Sequence, residues 1–191
     1  MTRFDIVIYE GVDELDFVAP LEILRAATDA GADAQVRVCA HDLEPVTASF
    51  GLRVLPDAVF TAGEADVVIV PGGRWTSRAE HGAWGVAQRG EWSEDLREAS
   101  RRGATMVSVC TGAMILAHAG LIGDRRCTTH HAAREDLAAM GATVIDARVV
   151  DDGDLITGAG VTSGLDIGLH LVRRYFGEDA AAEASRRSEY P

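Results

Sequence analysis

A cysteine sits where an apolar, strand-like run meets a helix-forming one, and this junction constrains the fold more than any other feature. Ala104-Thr105-Met106-Val107-Ser108-Val109 is short, apolar and rich in β-branched residues, and Cys110-Thr111-Gly112 follows at once. Residues 113–119 then read as a helix that stops at Gly120. A strand that gives way to a helix this abruptly must turn sharply, which is the nucleophile-elbow arrangement with cysteine in place of serine. An isolated cysteine is more often an inert core residue; here the strand–Cys–Thr–Gly–helix setting reverses that reading. The partial positive charge at the helix N-terminus predicts a thiol shifted toward thiolate. Its free amides offer donors to an anion formed during reaction.

The same alternation runs along the chain. Residues 4–9, 35–39, 66–70, 104–109, 126–129 and 143–145 read as strands, and residues 45–55 as a hairpin turning at Phe50-Gly51. Residues 149–157 form a second hairpin through Asp151-Asp152-Gly153, an Asp-Gly turn signal. Helices are expected over 16–30, 92–102, 132–140 and 161–176, the first closed by Gly31 and the last opened by Thr162-Ser163. Strands that alternate with helices, several of them uniformly apolar, predict a mostly parallel α/β sheet with helices on both faces. In such sheets ligands bind outside the carboxyl ends of the strands. Residues 10–16, Pro71-Gly72-Gly73 and Cys110 all lie at such ends, so distant segments converge on one place.

With 191 residues, 47% of them hydrophobic, the chain suits one domain spanning 1–191. Its formal net charge of −12 repels phosphate backbones and argues against nucleic acid as a partner. Three cysteines without paired spacing argue against a disulfide framework or a zinc site, and no metal or other cofactor is expected. No basic-plus-apolar N-terminal signal and no run of membrane-spanning length is present, so no membrane partner and a reducing, cytoplasmic setting are expected.

Three carboxylates follow the first strand: Asp13, Glu14 and Asp16. Asp16 lies between Leu15 and Phe17; burial there would raise its pKa and let it act as a proton donor beside Cys110. The plainer reading is that Asp16 caps the next helix. Gly72 and Gly73 allow a ligand to approach the backbone and suit an oxyanion pocket, or form an ordinary turn. His130 or His131 could serve as base to a nucleophilic thiol, or one could start a helix and the other face solvent. Cys39 and Cys127 fall in strand patterns and read as core, and His118 and His170 read as structural. The loop Thr157-Gly158-Ala159-Gly160-Val161-Thr162-Ser163-Gly164 lacks P-loop spacing and reads as close packing beside the pocket.

Together, Leu15-Asp16-Phe17, Pro71-Gly72-Gly73, Ser108-Val109-Cys110-Thr111-Gly112, Thr128-Thr129-His130 and residues 157–166 resemble the ThiJ/PfpI superfamily, a class I glutamine amidotransferase-like group. Within it the pattern is most similar to bacterial isonitrile hydratases and to the ligand-binding domains of AraC-type regulators. The resemblance implies a flavodoxin-like sandwich, a homodimer and a small-molecule substrate. It implies Cys110 as nucleophile, Asp16 as its acid partner and Thr111 as a group that polarises the substrate. Gly72, Gly73, Ala159 and His130 are expected around the substrate, with Ala159 standing where the hydratase motif has glycine. The implied activity is cofactor-free hydration of an isonitrile; a redox or small-molecule sensor, or a glyoxalase, deglycase or amidase, would use the same cysteine. Residues 74–92, with Trp75, Trp84 and Trp92, are expected to shape the pocket.

Overall fold

A computed structural model describes all of residues 1–191. Its elements run β1 (Thr2–Val7), α1 (Glu14–Asp29), β2 (Ala34–Ala40), β3 (Val46–Thr47), β4 (Arg53–Val54), β5 (Ala58–Val59), β6 (Val67–Val70), α2 (Ala83–Arg89), α3 (Ser93–Arg101), β7 (Thr105–Ser108) and α4 (Gly112–His118). They continue with β8 (Arg126–Cys127), a 3₁₀ turn (His131–Ala133), α5 (Arg134–Ala139), β9 (Thr143–Val144), β10 (Val149–Asp151), β11 (Leu155–Gly158), α6 (Ser163–Phe176) and α7 (Glu178–Ser188). No helix is long and apolar enough to cross a membrane.

Seven strands form one sheet in the order β10-β11-β7-β6-β1-β2-β5. All neighbours are parallel except β10 and β11. Every residue of β6 and β7 is buried. Successive side chains point to opposite faces, so this burial requires cover on both. The cover comes from α1, α6 and α7, which pack on one another, and from α4 with its neighbours α2, α3 and α5. The result is the expected flavodoxin-like α/β sandwich.

From β1 the chain moves outward through β2 to β5, then returns to β6 on the other side of β1 and continues to β7. The strand order therefore reverses between β1 and β6, the place where such folds bind ligands. The segments after β1, β6 and β7 meet there.

Both hairpins form, with Gly51 and Gly153 at left-handed φ of +96° and +86°. The edge strand β5, α2 and α7 were not expected. α2 lies inside the segment 74–92 and contains Gly85, where a Cβ would stand 1.8 Å from the Glu80 carbonyl oxygen. α7 buries only Ala181 and Ala184, so its sequence shows almost no apolar stripe. The expected strand 126–129 ends at Cys127, because the Thr128 N–H and the Thr129 hydroxyl bond to other segments, at Thr157 and Cys110. The expected helix 132–140 is a 3₁₀ turn followed by α5.

One charge pair lies within the sheet. Asp5 is fully buried, and Arg37, its register partner across β1–β2, grips both its oxygens at 2.9 and 2.6 Å. Removing one partner of a buried pair strands the other, typically at about 3–5 kcal/mol. Arg37→Leu should lose stability on that scale in urea unfolding. Asp5→Leu/Arg37→Leu should recover most of it, and a double variant no better than the single would contradict this account.

Candidate active site

The site is assembled at the carboxyl ends of β1, β6 and β7. After β7 the backbone at Cys110 takes a left-handed φ of +54°, sparsely populated for any residue but glycine. This turns the chain directly into α4, as the sequence predicts. The tight entry needs Gly112, where a Cβ would come within 1.9 Å of the Val70 carbonyl oxygen. Cys110 is 5% exposed and lines a cavity of about 130 Å³ with Asp13, Gly73, Arg74, Trp75, Thr76, Thr111, His130 and Val161.

Asp16 projects from the first turn of α1 and is fully buried. Its Oδ2 accepts the Gly72 N–H at 2.9 Å, and Oδ1 has no well-formed partner. The carboxyl lies close enough to the Cys110 thiol for hydrogen bonding to enter both groups' proton affinities. Desolvation, reinforced by Asp13, pushes its pKa up to about 8, so it holds a proton at neutral pH. The cap of α1 is Asp13 instead, whose Oδ1 accepts the Leu15 N–H at 3.1 Å. Capping by Asp16 is thereby excluded.

The expected thiolate is not the resting state. Burial pushes the Cys110 thiol well above its ordinary range, the Asp16 charge adds to this, and the Thr111 N–H only partly opposes it. A helix terminus contributes about 0.3–1 kcal/mol at an exposed site, whereas full burial moves a pKa by up to about 3–5 units. Desolvation therefore wins, and the pair rests as thiol beside carboxylic acid.

A model of the DJ-1/PfpI family matches residues 3–174. The chain belongs to the DJ-1/PfpI family. The isonitrile hydratase of Pseudomonas putida is 34% identical over 185 residues, which cover 96% of this chain and 76% of that protein. The HTH-type transcriptional regulator CdhR of Pseudomonas aeruginosa is 32% identical over 190 residues, 96% of this chain and 54% of the regulator. Among solved structures, a ThiJ/PfpI family protein from Pseudomonas syringae matches with a TM-score of 0.87 at 32% identity, covering 99% of this chain and 75% of that one.

In this DJ-1/PfpI chain Cys110, Asp16, Thr111, Gly72, Gly73 and His130 come together, but not all in the expected roles. The Gly72 amide is taken by Asp16, and the Gly73 amide by Thr111 Oγ1 at 3.0 Å. Neither is free for an oxyanion; these amides tie the loop to α1 and to the elbow. Ala159 is outside the cavity wall, and its N–H is spent on the Arg148 carbonyl at 2.9 Å. His130 lines the cavity, but no hydrogen bond joins it to Cys110. Its Nδ1 accepts the Ala132 N–H, and desolvation lowers its pKa. His131 is exposed at the start of the 3₁₀ turn.

Cys39 and Cys127 are fully buried, as expected of core residues. His118 bonds Met114 O and Gln88, and His170 bonds Asp151. The 74–92 segment supplies Arg74, Trp75 and Thr76 to the wall, and Trp75 Nε1 donates to Asp136 Oδ2 at 2.7 Å. Sequence reasoning singled out neither Arg74 nor Thr76; a tight turn after Gly72-Gly73 was the available signal.

Asp16 binds its proton more tightly in the folded protein than at its ordinary 3.8. Its contribution to stability is therefore complete below that value and is lost as pH rises toward about 8. Asp16→Asn should out-melt the parent by a margin that widens across this window, by up to about 1.4 kcal/mol per pH unit, and then levels. Calorimetry showing a margin independent of pH would mean that the carboxyl ionises freely.

Proposed function

We propose that the chain is a cysteine-dependent enzyme needing no cofactor, which hydrates a small isonitrile to an N-substituted formamide. The observation that carries this reading is the buried pair of a thiol and a carboxylic acid that keeps its proton at neutral pH. A peptide or ester hydrolase activates its nucleophile with a base. An isonitrile first needs an acid, because its terminal carbon bears a lone pair.

In the proposed sequence, that carbon takes the Asp16 proton and becomes an electrophilic nitrilium. The resulting carboxylate removes the thiol proton, and the sulfur of Cys110 bonds to the carbon, giving a thioimidate. Water adds across the C=N bond, its proton going to nitrogen. The C–S bond then breaks, the sulfur takes the hydroxyl proton through Asp16, and the formamide leaves. One water is consumed, and both residues regain their starting protons. Burial suits both steps: it keeps Asp16 protonated and delays thiolate formation until substrate has accepted a proton. Thr111 Oγ1 accepts from Gly73, which leaves its own hydroxyl proton for the substrate in the cavity it lines. The similarity to a transcriptional regulator favours one other reading, in which the cavity binds a small molecule without turnover.

Purified protein incubated in parallel with an alkyl isonitrile, methylglyoxal and dilute peroxide separates these readings. Formamide should appear; binding alone, or stoichiometric oxidation of one thiol, would sink the hydratase. Cys110→Ala and Cys110→Ser should both abolish turnover, and Asp16→Asn should slow it by about 100-fold or more while folding survives. The double variant should be scarcely worse than either single, as expected of groups that share one step. Because the acid form of Asp16 is required, kcat/KM should fall as pH rises through about 8. Loss of activity in His130→Ala, with Asp16→Asn within about threefold of the parent, would instead favour a Cys–His hydrolase.

A further inference from the structure

The chain has no lysine, and its 18 arginines stand against 30 acidic residues. Fourteen of them form ion pairs with carboxylates, leaving only Arg53, Arg74, Arg78 and Arg126 without one. Of these four, Arg74 alone lines the cavity that holds Cys110. Arg74 also borders a second hollow, with Glu10, Gly11, Thr47, Ala48 and His81, so its unpaired side chain stands between that hollow and the cavity of Cys110.

Its placement is built rather than incidental. Arg74 has a left-handed φ of +54°, a strained conformation for a residue with a side chain. The turn is clamped on both sides: Gly73 O accepts the Ala83 N–H at 2.7 Å, and a Cβ on Gly82 would lie 2.8 Å from the Arg74 Cβ. One guanidinium nitrogen, Nη2, donates to the Ser49 carbonyl. That bond steadies the side chain without neutralising it and leaves other N–H groups of its planar fork for a ligand. Asp13, in the same wall, forms no ion pair with it; its Oδ1 is turned to the Leu15 N–H.

We propose that Arg74 is the counter-ion for a carboxylate on the substrate, so that the site takes a short isocyano acid in preference to a hydrocarbon isonitrile. The substrate class rests on the proposed hydratase chemistry; the preference for an anion does not. The cavity of about 130 Å³ that Arg74 and Cys110 both line lets one small molecule present its acidic group to the first and its reacting carbon to the second.

Alkylation of Cys110 tests the charge preference without any turnover. Iodoacetate and iodoacetamide deliver the same carbon to sulfur, one as an anion and one neutral. Peptide mapping follows Cys110 apart from the fully buried Cys39 and Cys127. Arg74→Gln should lower the iodoacetate-to-iodoacetamide rate ratio by about fivefold, and Arg74→Lys should retain most of it. Salt supplies a test that needs no variant. The net charge of −12 repels anions, so without Arg74 added salt would speed iodoacetate. Attraction by Arg74 instead makes salt slow iodoacetate and leave iodoacetamide unchanged. A ratio equal in parent and Arg74→Gln, or a rate with iodoacetate that rises with salt, would overturn the proposal. In the turnover arm, Arg74→Gln should raise KM for isocyanoacetate and not for its methyl ester. If neither compound is hydrated while the alkylation ratio behaves as expected, the hydratase reading fails and the anion site stands.

Discussion

The arrangement of the site depends on one buried carboxyl group. Asp16 belongs to α1, accepts an amide proton from the loop after β6, and adjoins the sulfur of the elbow after β7. These segments are distant in sequence and meet only because the sheet order reverses between β1 and β6. The contact allows little slack, since a Cβ at Gly72 would come within 2.4 Å of Thr111 Oγ1. Tyr9 adds a further tie by donating its hydroxyl to the Pro71 carbonyl at 2.7 Å. The loop Pro71-Gly72-Gly73 is therefore pinned by Tyr9, Asp16 and Thr111. A neutral acid can sit in this position at modest cost, whereas an anion would lack adequate partners.

That protonation state governs the character of the thiol. A thiolate beside an ionised Asp16 would place two negative charges together in an apolar setting, so the pair retains protons. The thiolate is the nucleophilic and oxidisable form, and burial of the pair lowers its share. His130, whose Nδ1 accepts the Ala132 N–H of its own turn, makes no hydrogen bond to either group.

Much of this was legible in the sequence, and the exceptions share a physical cause. The elbow could be read because strand and helix patterns abut at Cys110, and the convergence could be read because parallel sheets gather their loops at one edge. Asp16 between Leu15 and Phe17 pointed to burial and hence to a raised pKa. Local sequence points the Cys110 shift the wrong way, because a helix dipole is visible there, whereas desolvation is a property of the whole packed interior. The amides of Gly72, Gly73 and Ala159 looked available for the same reason. Residue type shows that a backbone can be approached, but only the fold shows which acceptors already occupy it. α7 escaped notice because its contact with the core is made by alanines, and α2 because its Gly85 is dictated by the Glu80 carbonyl and not by helix propensity.

The elbow itself needs support that no local pattern announces. A left-handed Cys110 turns its carbonyl away from the hydrogen-bonding ladder of α4, and no backbone amide bonds to it. A buried carbonyl left in this way would cost about 1–3 kcal/mol on top of the backbone strain. The Thr129 hydroxyl supplies the missing donor at 2.8 Å, from a fully buried position. Thr129 can do so only because the strand begun by β8 stops at Cys127 and the Thr128 amide is anchored on Thr157 Oγ1 of β11 at 2.8 Å. The premature end of that strand is therefore part of the site. Two threonines that would otherwise have extended a ladder instead connect β11 to Cys110, and they carry His130 into the cavity wall.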